Sequence, residues 1–115
     1  MKIRKIVIGG EYDEGYNTPK NEAFKKNYEA LVKKNNDPYN IMFAALHYDA
    51  ASLILAGMKK NGPTSEGIRK FLQEVKDFDG VTGKLSFDQN NDVVRAGSKG
   101  IYVLEVKNGK YVKVQ

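Results

Sequence analysis

An α/β fold is predicted, with three helices and a small sheet formed by the N-terminal strand and the C-terminal hairpin. Three observations carry it. Two segments repeat apolar residues at helical spacing behind capping residues, and a third is apolar nearly all round. A short β-branched run opens the chain. Two further β-rich runs close it, joined by Asn108-Gly109, a pair that tolerates the positive φ of a two-residue hairpin turn.

Taken in order, residues 2–8 form a β-branched strand stopped by Gly9-Gly10. Residues 11–18 are a loop rich in acids, tyrosine and glycine. Thr18 offers a capping hydroxyl and Pro19 takes the first helical position. Phe24, Tyr28, Leu31 and Val32 then make one apolar stripe, which Asn35-Asn36-Asp37-Pro38 ends. A second helix is expected over residues 40–60, where only His47, Asp49 and Ser52 interrupt the apolar run from Ile41 to Met58. The acid in its middle favours a helix buried in protein over a membrane span. Asn61-Gly62-Pro63 terminates it. Thr64 or Ser65 caps a third helix with Ile68, Phe71, Leu72 and Val75 on one face. Strands follow at 84–87, 101–106 and 110–114, with a turn at 89–92. The order is β-α-α-α-β-β-β, without internal repeat or linker.

A chain of 115 residues buries roughly 65% of its unfolded surface, enough for a core without staples. With no cysteine, disulfides and thiolate chemistry are excluded. The net charge of +5 comes from scattered lysine pairs. Glu22 with Lys26, and Glu29 with Lys33, sit at i,i+4 spacing, so a solvated helix face is expected and nucleic-acid binding is not. The N-terminus offers only Ile6-Val7-Ile8 before glycines, without the apolar stretch of ~7–15 residues that an export signal needs.

Candidates for catalysis and metal binding fall short on spacing. His47 and Asp49 are two apart on a helix and point away from each other, so they form no base–orienter pair, and His47 reads as packing or boundary. Glu11, Asp13 and Glu14 cluster in a short loop, where carboxylates are expected to remain ionised and solvated. Asp88-x-Asn90-x-Asp92 imitates a calcium loop, but Val93 replaces the required glycine and Lys99 the bidentate glutamate, leaving a β-turn. Gly97-Ser98-Lys99-Gly100 lacks the spacing of a phosphate loop. No catalytic residue, metal site or cofactor is expected. Tyr12, Tyr16 and Tyr39, in loops or at helix entrances, suit either a ligand pocket or the edge of a core.

One ordered series of motifs adds to this. Tyr12-Asp13, Phe24/Tyr28, Asp37-Pro38-Tyr39, Tyr48-Asp49-Ala50, Thr64-Ser65, Phe78-Asp79-Gly80-Val81-Thr82-Gly83 and Phe87-Asp88 precede the closing hairpin. Their order and spacing resemble the C-terminal portion of the branched-chain amino acid (Leu/Ile/Val) binding proteins, type I periplasmic binding proteins of ABC transporters. The resemblance implies two α/β lobes joined by three crossings, closing on an amino acid in the cleft and delivering it to an ABC permease. It implies a single partial domain over residues 1–115, in which 1–8 and 101–115 are C-terminal-lobe-like and 12–94 N-terminal-lobe-like. It also implies a ligand contact at Tyr39, which lines the cleft, with Tyr12 nearby in the hinge region. The groups that hold the amino acid's carboxylate and ammonium lie upstream in the family and have no match here. The chain is therefore expected to lack solute binding alone. Its family is periplasmic or extracytoplasmic, while this chain as written reads as cytoplasmic or truncated. The apolar second helix, stripped of its usual cover, implies a homo-oligomer, or a rearranged fold with the sheet built from both ends of the chain. The alternative reading is an autonomous oligomerising interaction module that binds no solute.

Overall fold

The computed structural model describes residues 7–96 and 102–114. Strand β1 (Val7–Gly10) leads through a loop to α1 (Pro19–Asn35), α2 (Ile41–Asn61) and α3 (Ser65–Glu74). Five strands follow: β2 (Phe78–Asp79), β3 (Lys84–Phe87), β4 (Val93–Ala96), β5 (Tyr102–Lys107) and β6 (Lys110–Lys113). The predicted sheet is present, antiparallel in the order β1-β5-β6, with Ile8 opposite Leu104 and Glu105 opposite Val112. A second antiparallel sheet, β2-β3-β4, was not foreseen. Most of the predicted first strand and the Gly97–Gly100 segment lie outside the described residues.

Local chemistry sets the helix ends. The Thr18 hydroxyl accepts from the Asn21 amide at 3.2 Å, and Asn36 closes α1 at φ 55° in the left-handed region. Of the two predicted caps for α3, Thr64 is the one used: its hydroxyl accepts from the Gly67 amide at 3.0 Å. The β5–β6 turn has Asn108 at φ 50° and Gly109 at φ 75°, as the two-residue hairpin requires. On α1, Glu22 pairs with Lys25 (2.8 Å), one residue short of the expected partner, while Glu29 pairs with Lys33 as expected.

Helix α2 is the organising element. It buries Ile41, Ala45, Asp49, Leu53 and Gly57, one residue every turn. Ile41 and Ala45 join Tyr12, Phe24 and Val81 in one core cluster, and Leu53 joins Phe71 and Leu85 in another. The expectation of a buried helix therefore holds for one face. On the other side Phe43, Ile54, Leu55 and Met58 are exposed, Leu55 by 64%. By length and composition α2 is also the one described helix able to cross a membrane, although the buried Asp49 lies in its middle. The radius of gyration is 16.1 Å, against about 13 Å for a compact domain of this length.

Candidate functional site

The two sheets meet the helices at two carboxylate-centred junctions. The first is built on Asp49, at the middle of α2 and between the two core clusters. Its carboxylate accepts from the Val81 amide (2.8 Å), the Thr82 amide (2.9 Å) and the Thr82 hydroxyl (2.6 Å). Gly80 makes this approach feasible, since a Cβ there would lie 2.6 Å from Asp49 Oδ2. Arg95 on β4 donates from Nε to the Thr82 hydroxyl at 3.1 Å and pairs at 3.6 Å with Glu11, in the loop after β1. One chain of polar contacts thus ties α2, the 80–82 turn, β4 and the first loop together. Every oxygen of Asp49 is satisfied, so its chemistry is structural.

The second junction surrounds the loop of residues 11–18. Loop, α1 and β6 enclose an open cavity of about 440 Å³, lined by Glu14, Lys25, Tyr39, Lys110 and Tyr111 among others. The Tyr39 hydroxyl donates to Glu14 Oε2 at 3.3 Å. Its ring packs on Tyr28 at 5.5 Å, and the Tyr28 hydroxyl accepts from the Asn40 amide, which fixes the entrance of α2. Lys25 donates to the Glu14 carbonyl at 2.7 Å. Among the described residues Glu14 Oε1 is buried without a well-formed hydrogen bond, although the Tyr111 backbone amide helps to stabilise the carboxylate. Burial pushes the Glu14 carboxyl above its usual range, offset in part by the Tyr39 hydroxyl and by Lys110. The Tyr39 hydroxyl is raised too, by burial first and then by the Glu14 charge.

The structure separates the two tyrosines proposed from the sequence. Tyr39 is 44% exposed and faces the cavity. Tyr12 is 1% exposed: its hydroxyl donates to Asn21 Oδ1 at 2.6 Å and its ring meets Phe24 edge-on. Burial raises its hydroxyl well above the ordinary value. Nor is the acidic loop uniformly solvated, as had been expected. Glu11 remains half exposed, but Asp13 is buried, accepting from the Gly15 amide at 2.9 Å and pairing with Lys113 at 3.2 Å. His47 is exposed, its Nδ1 2.8 Å from the Phe43 carbonyl oxygen. Asp88 caps a turn, accepting from the Asn90 and Asp92 amides through Oδ1. Among the described residues no group of His, Asp and Glu has the arrangement of a metal site.

Asp49 and Glu14, the centres of these junctions, are not among the residues that the sequence singles out for a site. A signal existed for the first: Asp49 keeps step with Ala45 and Leu53 on the buried face, and an uncompensated acid there demands donors. Glu14 carried no such signal, because its partners come from α1, the entrance of α2 and β6.

Beside these junctions a larger, mainly apolar groove of about 550 Å³ runs between α1 and α2, lined by Phe24, Tyr28, Leu31, Ala44, His47 and Tyr48 among others. Polar groups there are confined to Lys20, Asn27, His47 and the tyrosine hydroxyls.

Comparison with known proteins places this architecture. The chain superposes on the leucine binding protein LivK of Thermotoga maritima with a TM-score of 0.70 and 23% identity, over 96% of this chain and 30% of that one. It superposes on a protein described as a branched-chain amino acid ABC transporter from Rhodospirillum rubrum with a TM-score of 0.67 and 26% identity, over 94% of this chain and 30% of that one. The chain thus spans about 30% of the length of these solved relatives. No curated protein matches it. The family described as periplasmic binding protein matches residues 3–110, nearly the whole chain, and the chain belongs to that family.

Proposed function

We propose that this chain is part of the amino acid-binding component of an ABC transporter, corresponding to the C-terminal portion of such a protein, and that it is not an enzyme. The observation that carries the reading is the family match over residues 3–110, joined to likeness with a branched-chain amino acid transporter protein. In this reading residues 1–8 and 101–115 belong with one lobe and 12–94 with the other. The loop around Tyr12 is then the hinge region, and the cavity at Tyr39 lies on the cleft between lobes. A two-lobed protein works by closing when contacts from both sides favour the closed state. The whole protein acts outside the cytoplasm beside an ABC permease.

Tyr39 is the ligand contact this chain contributes, its half-exposed ring packed on Tyr28 so that it is presented rigidly. Tyr12 supports the hinge through the core and meets ligand only if the loop opens. One tyrosine does not enclose a small ligand, since a pocket needs several convergent groups. The chain alone is therefore expected to bind leucine, isoleucine or valine too weakly to detect. Thermal unfolding with millimolar amounts of each should leave Tm unmoved, whereas a ligand at 100 times its Kd would add about 2.7 kcal/mol. A shift that Tyr39→Ala abolishes would keep the cleft assignment and overturn the need for further chain.

A second reading is favoured by the exposed apolar face of α2. As an isolated chain the protein is a homo-oligomer, an interaction module that assembles through that helix and binds no solute. Sedimentation across a hundredfold concentration range tests it, since assembly must respond to dilution.

A further inference from the structure

Neither core cluster takes a residue from β1, β5 or β6. Among the described residues the sheet of these three strands is therefore a body of its own. The helices and β2-β3-β4 make the second body of a molecule measuring 56 × 34 × 22 Å. The chain passes between the two bodies twice, through residues 11–18 and between Ala96 and Tyr102. Apolar contact between them occurs at Gly10, where Met42 of α2 and Leu104 of β5 close on the same point. A Cβ there would lie 2.5 Å from Met42 Cε and 2.9 Å from Leu104 Cδ1. Apolar attraction has no direction, so this contact serves as a pivot and does not fix an angle.

The loop of residues 11–18 supplies the direction. Glu11 and Tyr12 hold it to the helical body, through Arg95 at 3.6 Å and Asn21 at 2.6 Å. The next two residues reach the hairpin instead. Asp13 Oδ2 pairs with Lys113 on β6 at 3.2 Å, while Lys110 and the Tyr111 amide stabilise the Glu14 carboxylate. Asp13 is buried and Lys113 half exposed, its ammonium held 5.3 Å from the centre of the Tyr102 ring. Salt screens a partly buried pair of this kind less than a surface pair.

We propose that Asp13 and Lys113 form a latch that fixes the angle between the two bodies, with Gly10 as its pivot. Swinging the sheet away costs Asp13 its charge partner, while its Oδ1 keeps the Gly15 amide at 2.9 Å within the same loop. The loop therefore survives release, which separates a latch from an ion pair that holds a fold together. The latch goes beyond the hinge reading above by naming what holds the loop at one angle. It is built from this chain's own residues and does not depend on whether a solute binds.

The chain has no cysteine, so two introduced thiols carry all of a spin label. Lys60→Cys on α2 with Lys107→Cys on β5, both exposed, reads the distance between the bodies by pulsed electron resonance. Lys34→Cys with Lys60→Cys, on α1 and α2, reads the helical body alone. The first pair should give one narrow distance distribution in the otherwise unchanged chain. Asp13→Asn, which keeps an acceptor for the Gly15 amide, and Lys113→Gln should each replace the narrow peak with a broad one. Lys113→Arg should keep it narrow. Asp13→Asn and Lys113→Gln together should broaden it no further, because either one removes the whole pair. The second pair of labels should stay unchanged throughout. A distribution already broad before substitution, or one that stays narrow in Asp13→Asn, overturns the latch. Broadening of the second pair overturns it too, since Asp13 and Lys113 then hold the helical body's fold and not the angle.

Discussion

Two acidic side chains inside this molecule are treated in opposite ways. Asp49 is 3% exposed and meets three donors, two from backbone amides and one from the Thr82 hydroxyl. Glu14 lies under a cavity wall with one oxygen on Tyr39 and the other, among the described residues, short of a well-formed hydrogen bond. Hydrogen bonding to an ionised carboxylate offsets its burial, whereas incomplete bonding leaves part of the desolvation cost uncovered. The molecule is finished at the one and open at the other. The Asp49 junction is complete within this chain. The Glu14–Tyr39 junction keeps unused hydrogen-bonding capacity beside a space that a ligand or further polypeptide can enter.

The contrast breaks most readily at Asp49. Asp49→Ala strands three buried donors, at about 1–3 kcal/mol each, and should cost about 3–5 kcal/mol in urea unfolding. That is a large fraction of the stability of an ordinary domain. A loss below about 1 kcal/mol would show that the 80–82 turn finds other acceptors. Gly80→Ala attacks the same junction by sterics, because the new Cβ meets the Asp49 carboxylate. Overpacking of this kind costs about 1–3 kcal/mol, seen as a lower urea midpoint. A double-mutant cycle with Asp49→Ala should give strongly non-additive losses.

At Glu14 the expected effect is smaller and opposite in sign. The folded state raises its pKa, chiefly by burial. Its ionised form is therefore disfavoured in the folded protein. Relative stability is greatest below the unfolded carboxylate pKa and is lost as pH rises through the higher folded value. Glu14→Gln removes this penalty, so the variant should be the more stable at pH 7 and match the parent near pH 3. A difference that instead shrinks towards neutrality would reverse the assignment. Smallest of all, Tyr39→Phe removes a single half-exposed hydroxyl bond, worth about 0.5–1.5 kcal/mol at most. Loss of that donor should move the pH midpoint of the Glu14 effect upward, a readout that mere loss of packing would not produce.

Much of the fold was legible in the residues. Thr18, Pro19 and Thr64 announced helix starts because capping acts within three residues, and Asn108-Gly109 announced its hairpin because φ preference is a property of the residue itself. β2 and β4 escaped notice for the converse reason. Phe78–Asp79 is only two residues long, and Val93–Ala96 shows no clear alternation. Both are strands because β3 lies between them, with Leu85 opposite Phe78 and Arg95. The site was less legible. Tyr12 and Tyr39 carry the same ring and hydroxyl in similar polar surroundings of sequence, yet one is core and the other lines a cavity.

The helices and their ends, the closing hairpin, the absence of thiol chemistry and a series of motifs sufficient to indicate the family all follow from the order of residues. Each depends on groups close together along the chain or on residue identity alone. It takes the folded arrangement to make Asp49 hold the turn more than thirty residues away, to seal Tyr12 and leave Tyr39 open, and to bury one face of α2 while leaving the other bare. These outcomes depend on which desolvated groups find partners, and the partners arrive from separate elements only when the chain is folded.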